Sequence, residues 1–517
     1  MSGEDLYATT LVDRLSDSDP LGRGERPIGA LLSDLAQHDP DHPALSVGDR
    51  TYTRGELDRA ANRMARALQQ LGVGQNDFVA IVLPTSFAHH VFSFAAWKLG
   101  AGPAPLPPKA PVAELQAMIE LLGPRLVVGV AQEHLPGVTA IPADFQPDPG
   151  LSDAPLPDAV AKNWKASVSG GSTGRPKVIV GETPSLLDPR KRMAVLRINL
   201  DDVILQPAPL YHNAPFCQTN WTICWGGHAV EMVKFDATEW LRLVEKHRVR
   251  WAYLVPTMMN RIWALPEEVR NSFDLSSLEV VMHMAAPCPP WLKAAWIDWL
   301  GPKTIWEVYA GTEGVGAAVI SGEEWLTHRG SVGKPMPEAR ILDEEGEPLP
   351  PGEIGEIFFN NPGAGAHFSY IGADMRRRGD WQSYGDMGYL DADGYLYLAD
   401  RRTDMIVSGG ANIYPAEVEG ALEQHPAVAA AVVIGVPDPD LGSRGHAVVE
   451  LRPGLAVPSA GELEAHVAER LARYKLPYTY ELVSEPLKDD AGKVRRSAVR
   501  QARLARIEAG EVFQPLK

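Results

Sequence analysis

Residues 166–180 read Ala-Ser-Val-Ser-Gly-Gly-Ser-Thr-Gly-Arg-Pro-Lys-Val-Ile-Val, two apolar-leaning runs around a stretch of small, hydroxylated and basic residues. Gly170, Gly171 and Gly174 let the backbone turn tightly or left-handed and come close to an anion. The hydroxyls of Ser169, Ser172 and Thr173 and the charges of Arg175 and Lys177 supply donors. Such a loop suits a polyphosphate. It is not a Walker-A loop, because Gly174 is followed by Arg175-Pro176 where Gly-Lys-Ser/Thr is needed, and it lacks the Gly-x-Gly-x-x-Gly of a dinucleotide fold. The same composition also suits a plain Gly/Ser hairpin between two strands.

Outward from this loop the pattern is helix, then buried strand. Glu56 to Leu71 carries apolar residues at helical spacing and is followed by the strand-like run Phe78–Leu83. Trp240–His247 precedes Trp251–Val255 in the same way, and Pro290–Leu300 precedes Thr304–Val308. This is the grammar of a layered α/β domain. From about Gly330 the texture changes to short alternating runs with Gly, Pro and Asp turns, such as Gly355–Phe359 and Gly394–Leu398, which predicts antiparallel strands. After Asp400 the spacing predicts a helix near Pro415–His425, strands at Ala429–Ile434 and Gly445–Leu451, a helix over Ala460–Arg473 and a strand near Tyr480–Val483. That is a compact α+β domain.

The 517 residues are enough for a large domain and a smaller one. With 45% hydrophobic, 22% charged and 8% aromatic residues, the chain is neither disordered nor a disulfide scaffold. Lys and Arg number 49 against 66 Asp and Glu, a net charge of −17, which disfavours general affinity for nucleic acid or anionic membrane. Cys217, Cys224 and Cys288 lack the C-x-x-C spacing of a metal or redox site and read as buried residues. The acidic start Met1–Asp5 has no apolar region behind it, and the most apolar window, Val91–Trp97, is cut by Lys98, Gly100, Gly102 and Pro103. A cytoplasmic protein without a transmembrane segment is expected.

Ser169–Lys177 resembles the phosphate loop of the adenylate-forming superfamily, which holds acyl- and aryl-CoA synthetases, peptide-synthetase adenylation domains and luciferases. The resemblance continues in chain order at Pro209-Leu210-Tyr211-His212-Asn213, Tyr309-Ala310-Gly311-Thr312-Glu313 and Tyr384-Gly385-Asp386. It ends with Asp400–Gly410 and Gly492-Lys493-Val494-Arg495-Arg496. It implies an α/β fold with a large N-terminal domain, residues 1–400, made of layered α/β subdomains and a β-rich part. A hinge at 401–403 and a small mobile α+β domain, 404–517, would follow. Thr403 departs from the Asp or Lys of many relatives, and its β-branching stiffens a hinge.

The resemblance also implies roles. Ser169, Gly170, Gly171, Ser172, Thr173, Gly174 and Lys177 would hold the phosphates of ATP. Ala286 and Pro287 would cover adenine beside Tyr309 and Gly311, with Asp386 and Arg401 at the ribose. Thr312 and Glu313 would act at the reacting phosphate, Glu313 binding Mg²⁺, a hard ion suited to oxygen ligands. Lys493 would bridge the carboxylate and α-phosphate, His212 would stand between the acyl pocket and the thiol's way in, and Gly409 and Gly410 would line the pantetheine tunnel of coenzyme A. Plainer readings compete: a helix-capping Thr312-Glu313 pair, a turn Asp386, a solvated Arg401, an interior His212, and a basic surface face made of Lys488, Lys493, Arg495, Arg496 and Arg500. Trp221, Trp225, Trp240, Trp251, Trp263, Met258 and Met259 are read mostly as core.

The chain stops too soon after Lys493 for a carrier domain of roughly eighty residues, so a free acyl acceptor is expected, coenzyme A being the economical one. The phosphate loop and Asp400–Ile406 look like those of the branch that activates bile, steroid side-chain and polycyclic terpenoid acids. The expected substrate is therefore a bulky, mostly apolar monocarboxylic acid. Transfer to a separate carrier or partner protein, or a binding protein that has lost catalysis, are the alternatives.

Overall fold

The computed structural model describes residues 19–511 and 513, except 136, 171–175, 192–193, 362–367, 373, 402–403, 409–410, 439–440, 472 and 490–491. The first layered unit is a four-stranded parallel sheet in the order Gly102–Pro105, Phe78–Ile81, Leu126–Val128, Thr139–Ile141. Val79, Ala80 and Ile81 are fully buried, as expected of a parallel strand covered on both faces. The helix Arg54–Gln70 packs Leu57, Ala61, Met64, Ala65 and Leu68 into the core. It starts where Thr53 Oγ1 accepts from the Glu56 amide at 3.2 Å and Glu56 Oε2 accepts from the Thr53 amide at 3.0 Å, a reciprocal cap.

The second unit belongs to a 15-stranded sheet. Its parallel half runs Ile305–Ala310, Val280–Met284, Trp251–Leu254, Val203–Gln206, His228–Glu231, Pro43–Val47. From Ile305–Ala310 it continues antiparallel through Ala317–Ser321 and Ser331–Met336 into the β-rich part, where Asp386–Leu390 pairs with Leu396–Arg401. The carboxyl ends of the parallel strands therefore open towards the loops at 285–289 and 311–316, where ligands of open α/β sheets bind. Lys293, on the helix Pro290–Leu300, reaches Glu307 Oε2 at 2.6 Å beneath this edge and ties helix to strand.

The last part has a core of its own, including Ile406, Val418, Leu422, Val433, Val449, Leu463 and Val467. Its strands Val428–Asp438, Gly442–Leu451 and Thr479–Val483 carry the helices Pro415–Leu422 and Ala460–Ala468. The predicted helix from Ala460 ends early, and the chain makes a 3₁₀ turn at Arg473–Lys475, where Lys475 pairs with Glu417 at 2.5 Å. A helix at Arg496–Glu508 with no buried residue closes the domain. Its Arg496 pairs with Glu419, and Arg503 with Glu481 at 3.1 Å, so part of the basic face is spent on holding the helix to its own domain. Trp225, Trp240, Trp251, Met258 and Met259 are core, Trp221 and Trp263 pack against it, and Cys217 and Cys224 are buried, while Cys288 is half-buried.

Several histidines are buried neutral. Burial holds His212 at about 3 and His228, His283 and His446 at about 4, and pushes His89 well below its ordinary value. The unfolded chain binds these protons from about pH 6.5 downward and the folded chain does not, so stability from this source is complete above that pH and is lost as the pH falls. Glu231 raises His90, which works the other way at one site. The expected result is a urea midpoint that drops by the equivalent of at least about 2 kcal/mol between pH 7 and pH 4.5. A flat midpoint over that interval would contradict these environments.

Candidate active site

The strands Ala166–Gly170 and Pro176–Gly181 pair antiparallel with Ser169 opposite Lys177 and Gly170 opposite Pro176. The two flanking strands therefore pair as the hairpin reading expects. Gly171, Ser172, Thr173 and Gly174 lie outside the described residues, as do Thr403, Gly409 and Gly410; Ser169, Gly170 and Arg401 are placed by their backbone in strands.

Lys177 leaves the hairpin and donates to Glu313 Oε1 at 3.1 Å and to the Tyr370 hydroxyl at 3.1 Å. Tyr370 in turn donates to Glu313 Oε1, and its ring lies under the Lys177 ammonium at 4.4 Å. Burial works to raise the Glu313 pKa, but the Lys177 charge and the Tyr370 hydroxyl outweigh it and hold the carboxyl below its ordinary value. A buried carboxylate kept ionised is a hard oxygen donor. No group of three or more His, Cys, Asp or Glu suited to a metal occurs among the described residues. One anionic ligand and no protein cage fit Mg²⁺ bound through a carboxylate and substrate phosphates.

Thr312 and Glu313 sit in a turn after the strand Ile305–Ala310, and no helix follows, so they do not cap one. Gly311 is required here: a Cβ on it would stand 2.3 Å from the Tyr384 ring and 2.8 Å from Glu313 Oε2. Tyr384 is pinned by its hydroxyl, which accepts from the Gly316 amide at 3.0 Å and donates to the Gly316 carbonyl at 2.8 Å. Tyr309 donates to Asp386 Oδ2 at 2.6 Å. Asp386 is the first residue of a strand rather than part of a loop, and its ladder partner is Arg401. The backbones of Asp386 and Arg401 are thus ladder neighbours although fifteen positions apart. Across the opening, Ala285-Ala286-Pro287 leaves the strand Val280–Met284, and Ala285 takes a φ of +74°, a left-handed turn that aims the loop over the edge.

His212 caps the helix Asn213–Cys224 from outside, its ring tilted against that of Tyr211 with centroids 4.4 Å apart. Burial, reinforced by the charges of Lys493 and Arg495, keeps it neutral, and its Nε2 is buried without a hydrogen-bond partner. Those two cations come from the small domain. Lys493 is exposed, in a turn closed by Asp489, whose Oδ1 accepts from the Lys493 amide at 2.9 Å. The neighbouring Gly492, at φ +74°, lies so close to the large domain that a Cβ would stand 2.8 Å from Val255 and 3.0 Å from Thr257. Arg495 reaches Glu114 at 3.3 Å and Arg452 reaches Asn260 at 3.3 Å. The C-terminal part thus meets the large one at Val255, Thr257, Glu114 and Asn260.

The sequence reading missed Tyr370, which no motif contains, and did not assign Tyr384 a role although Tyr384-Gly385-Asp386 was in view. A tyrosine in a strand looks like any core aromatic until the partner of its hydroxyl is known.

The site is that of an enzyme that activates with a nucleotide, and the chain belongs to the AMP-binding enzyme family: the family pattern matches residues 32–366, and the pattern of the AMP-binding enzyme C-terminal domain matches residues 417–493. It is 33% identical to a feruloyl-CoA synthase of Amycolatopsis sp over 92% of this chain and 98% of that one. It is 31% identical to the 3-[(3aS,4S,7aS)-7a-methyl-1,5-dioxo-octahydro-1H-inden-4-yl]propanoyl:CoA ligase of Mycobacterium tuberculosis, covering 92% and 99%. Its fold matches that of the o-succinylbenzoate coenzyme A synthetase of Bacillus subtilis in complex with ATP and magnesium ion, with a TM-score of 0.76, 27% identity and coverage of 92% and 100%. No helix among the described residues is long and apolar enough to cross a membrane.

Proposed function

We propose that the protein is an ATP- and Mg²⁺-dependent acid–CoA ligase acting in the cytoplasm on a bulky, mostly apolar, polycyclic carboxylic acid of steroid, bile-acid or diterpenoid type. A carboxylate oxygen attacks the α-phosphorus of ATP, the new O–P bond forms, and the bond to the bridging oxygen breaks to release pyrophosphate. The sulfur of coenzyme A, having given up its proton, then attacks the acyl carbon; a C–S bond forms, the C–O bond breaks, and AMP leaves. Both steps bring anions together, so the demand on the protein is neutralisation at fixed points.

In this reading Ser169–Lys177 cradles the phosphates, Ala286 and Pro287 face adenine with Tyr309 and Gly311, and Asp386 with Arg401 takes the ribose hydroxyls. Glu313 would hold Mg²⁺, which would supply positive charge to the phosphates, with Thr312 beside it. Lys493 spans the carboxylate and the α-phosphate. His212, neutral, lines the path for the thiol, and Gly409 and Gly410 leave room for pantetheine. The division at 1–400, 401–403 and 404–517 lets the small domain turn between the steps. The single observation that most supports this reading is the seating of Gly492 against Val255 and Thr257, with the charge of the adjoining Lys493 acting on His212. The relatives named above, all ligases or synthetases of acids with coenzyme A, support the acceptor.

The test is a panel of carboxylic acids followed by pyrophosphate release and by mass detection of adenylate and thioester. Ring-bearing acids are expected to exceed straight-chain fatty acids in kcat/KM by about tenfold or more, since several buried methylenes are read by the pocket. Better turnover of straight chains would refute the acid class. Acyl-adenylate without thioester in the presence of coenzyme A would instead favour a separate carrier or partner as acceptor.

A further inference from the structure

Three lysines are buried among the described residues: Lys98, Lys165 and Lys293. Lys98 lies 2.7 Å from Asp58 and Lys293 lies 2.6 Å from Glu307, so each has its counter-charge. Lys165 does not. Only 5% exposed, it donates to Ser167 Oγ at 2.9 Å and to Asn213 Oδ1 at 2.5 Å, with the Trp164 ring at 5.0 Å. An ammonium has three donors, and the third meets no protein acceptor among the described residues. The Asn213 oxygen is itself crowded, taking Ser167 Oγ and Cys217 Sγ at 3.5 Å as well. A buried charge served only by neutral oxygens is costly, and the complement it lacks is another oxygen, best an anionic one.

The place of this cluster matters. Asn213 follows His212 directly and opens the helix that ends at Cys224, and it is only half-buried. Lys165 stands behind it, just before the strand that leads into the phosphate loop. Lys165 therefore meets, at Asn213, the start of the helix that follows His212.

Building on the ligase reading, we propose that Lys165, with Asn213, is a specificity site that takes a second oxygen of the acid, one carried in addition to the reacting carboxylate: a further carboxylate, a phenolate or a ring carbonyl. The acid is then apolar in bulk but marked by one acceptor that a plain hydrocarbon chain cannot offer. A site built around such an acceptor rejects the analogue without it far more strongly than a pocket rejects a missing methylene.

The experiment compares the full-length protein with Lys165→Met on matched ring-bearing acids, one each with a second carboxylate, a phenol and a ring ketone, and a parent with none, by pyrophosphate release. For the best oxygenated acid, kcat/KM is expected to fall about tenfold or more, mainly through KM, while the parent changes by less than about twofold. The acid that suffers names the oxygen. Thermal unfolding is expected to stay level or rise, because an apolar side chain of similar length replaces a buried charge. Lys165→Gln, which keeps a donor for Asn213 without the charge, repeats the comparison should the Met variant fold poorly. Equal loss on all acids would make Lys165 an anchor for the helix and overturn the assignment, as would a wild-type preference for the parent. A wild-type protein inert to every acid would sink the ligase reading and this site with it.

Discussion

Lys493→Ala is expected to lower acid-dependent ATP–pyrophosphate exchange by about 100- to 1,000-fold, the usual cost of removing a charge aimed at a developing oxyanion. ATP affinity should change little, because the phosphate loop, Lys177 and the Asp386 strand all belong to the large domain. Lys493 is exposed and its turn is closed through the backbone by Asp489, so truncation leaves the turn standing. Thioester formation from synthetic acyl-adenylate and coenzyme A should survive, since the proposed mechanism uses this charge in the first step alone. Exchange at the wild-type rate would remove Lys493 from the mechanism; equal loss in both half-reactions would point to a collapsed domain interface instead.

Glu313→Gln should lower exchange by a similar factor, about 100-fold or more, and raise the Mg²⁺ concentration needed for half-maximal exchange by about tenfold to 100-fold. The amide preserves the shape and can still accept from Tyr370 and Lys177, so the fold should hold; the loss is of charge. A magnesium titration followed by exchange separates the two variants, since Lys493→Ala should keep the wild-type midpoint. An unchanged midpoint in Glu313→Gln would mean that the ion is held elsewhere.

The layered core was legible because a parallel strand covered on both faces must be apolar along its length, and Phe78–Leu83 and Trp251–Val255 are. The helix Pro290–Leu300 was legible from its paired prolines at the start and glycine beyond its end, with the structure giving the same bounds. Arg496–Glu508 was not read as a docked helix, because its apolar contact is thin, Val499 and Ile507 against Val432, Ile434 and Val436, and the rest of its grip is polar, Arg496 on Glu419 and Arg503 on Glu481. In the site, the motifs marked single residues but not their couplings. Lys177 and Glu313 stand 136 positions apart, and Tyr309 and Asp386 stand 77 apart, and no local spacing encodes such encounters. Lys165 escaped for a further reason. In sequence it is one more cation, and only its burial among neutral oxygens sets it apart.

Arg495 with Glu114 and Arg452 with Asn260 stitch the small domain to the large one from the surface. The first is an exposed ion pair, which contributes about 0–1 kcal/mol and weakens as salt rises, and the second is a hydrogen bond to a neutral amide. Together they make a catch that thermal agitation can slip, strong enough to bias the resting orientation but too feeble to lock it. The enzyme's cadence would then be set partly by its ionic surroundings, with brine loosening the clasp and dilute buffer tightening it.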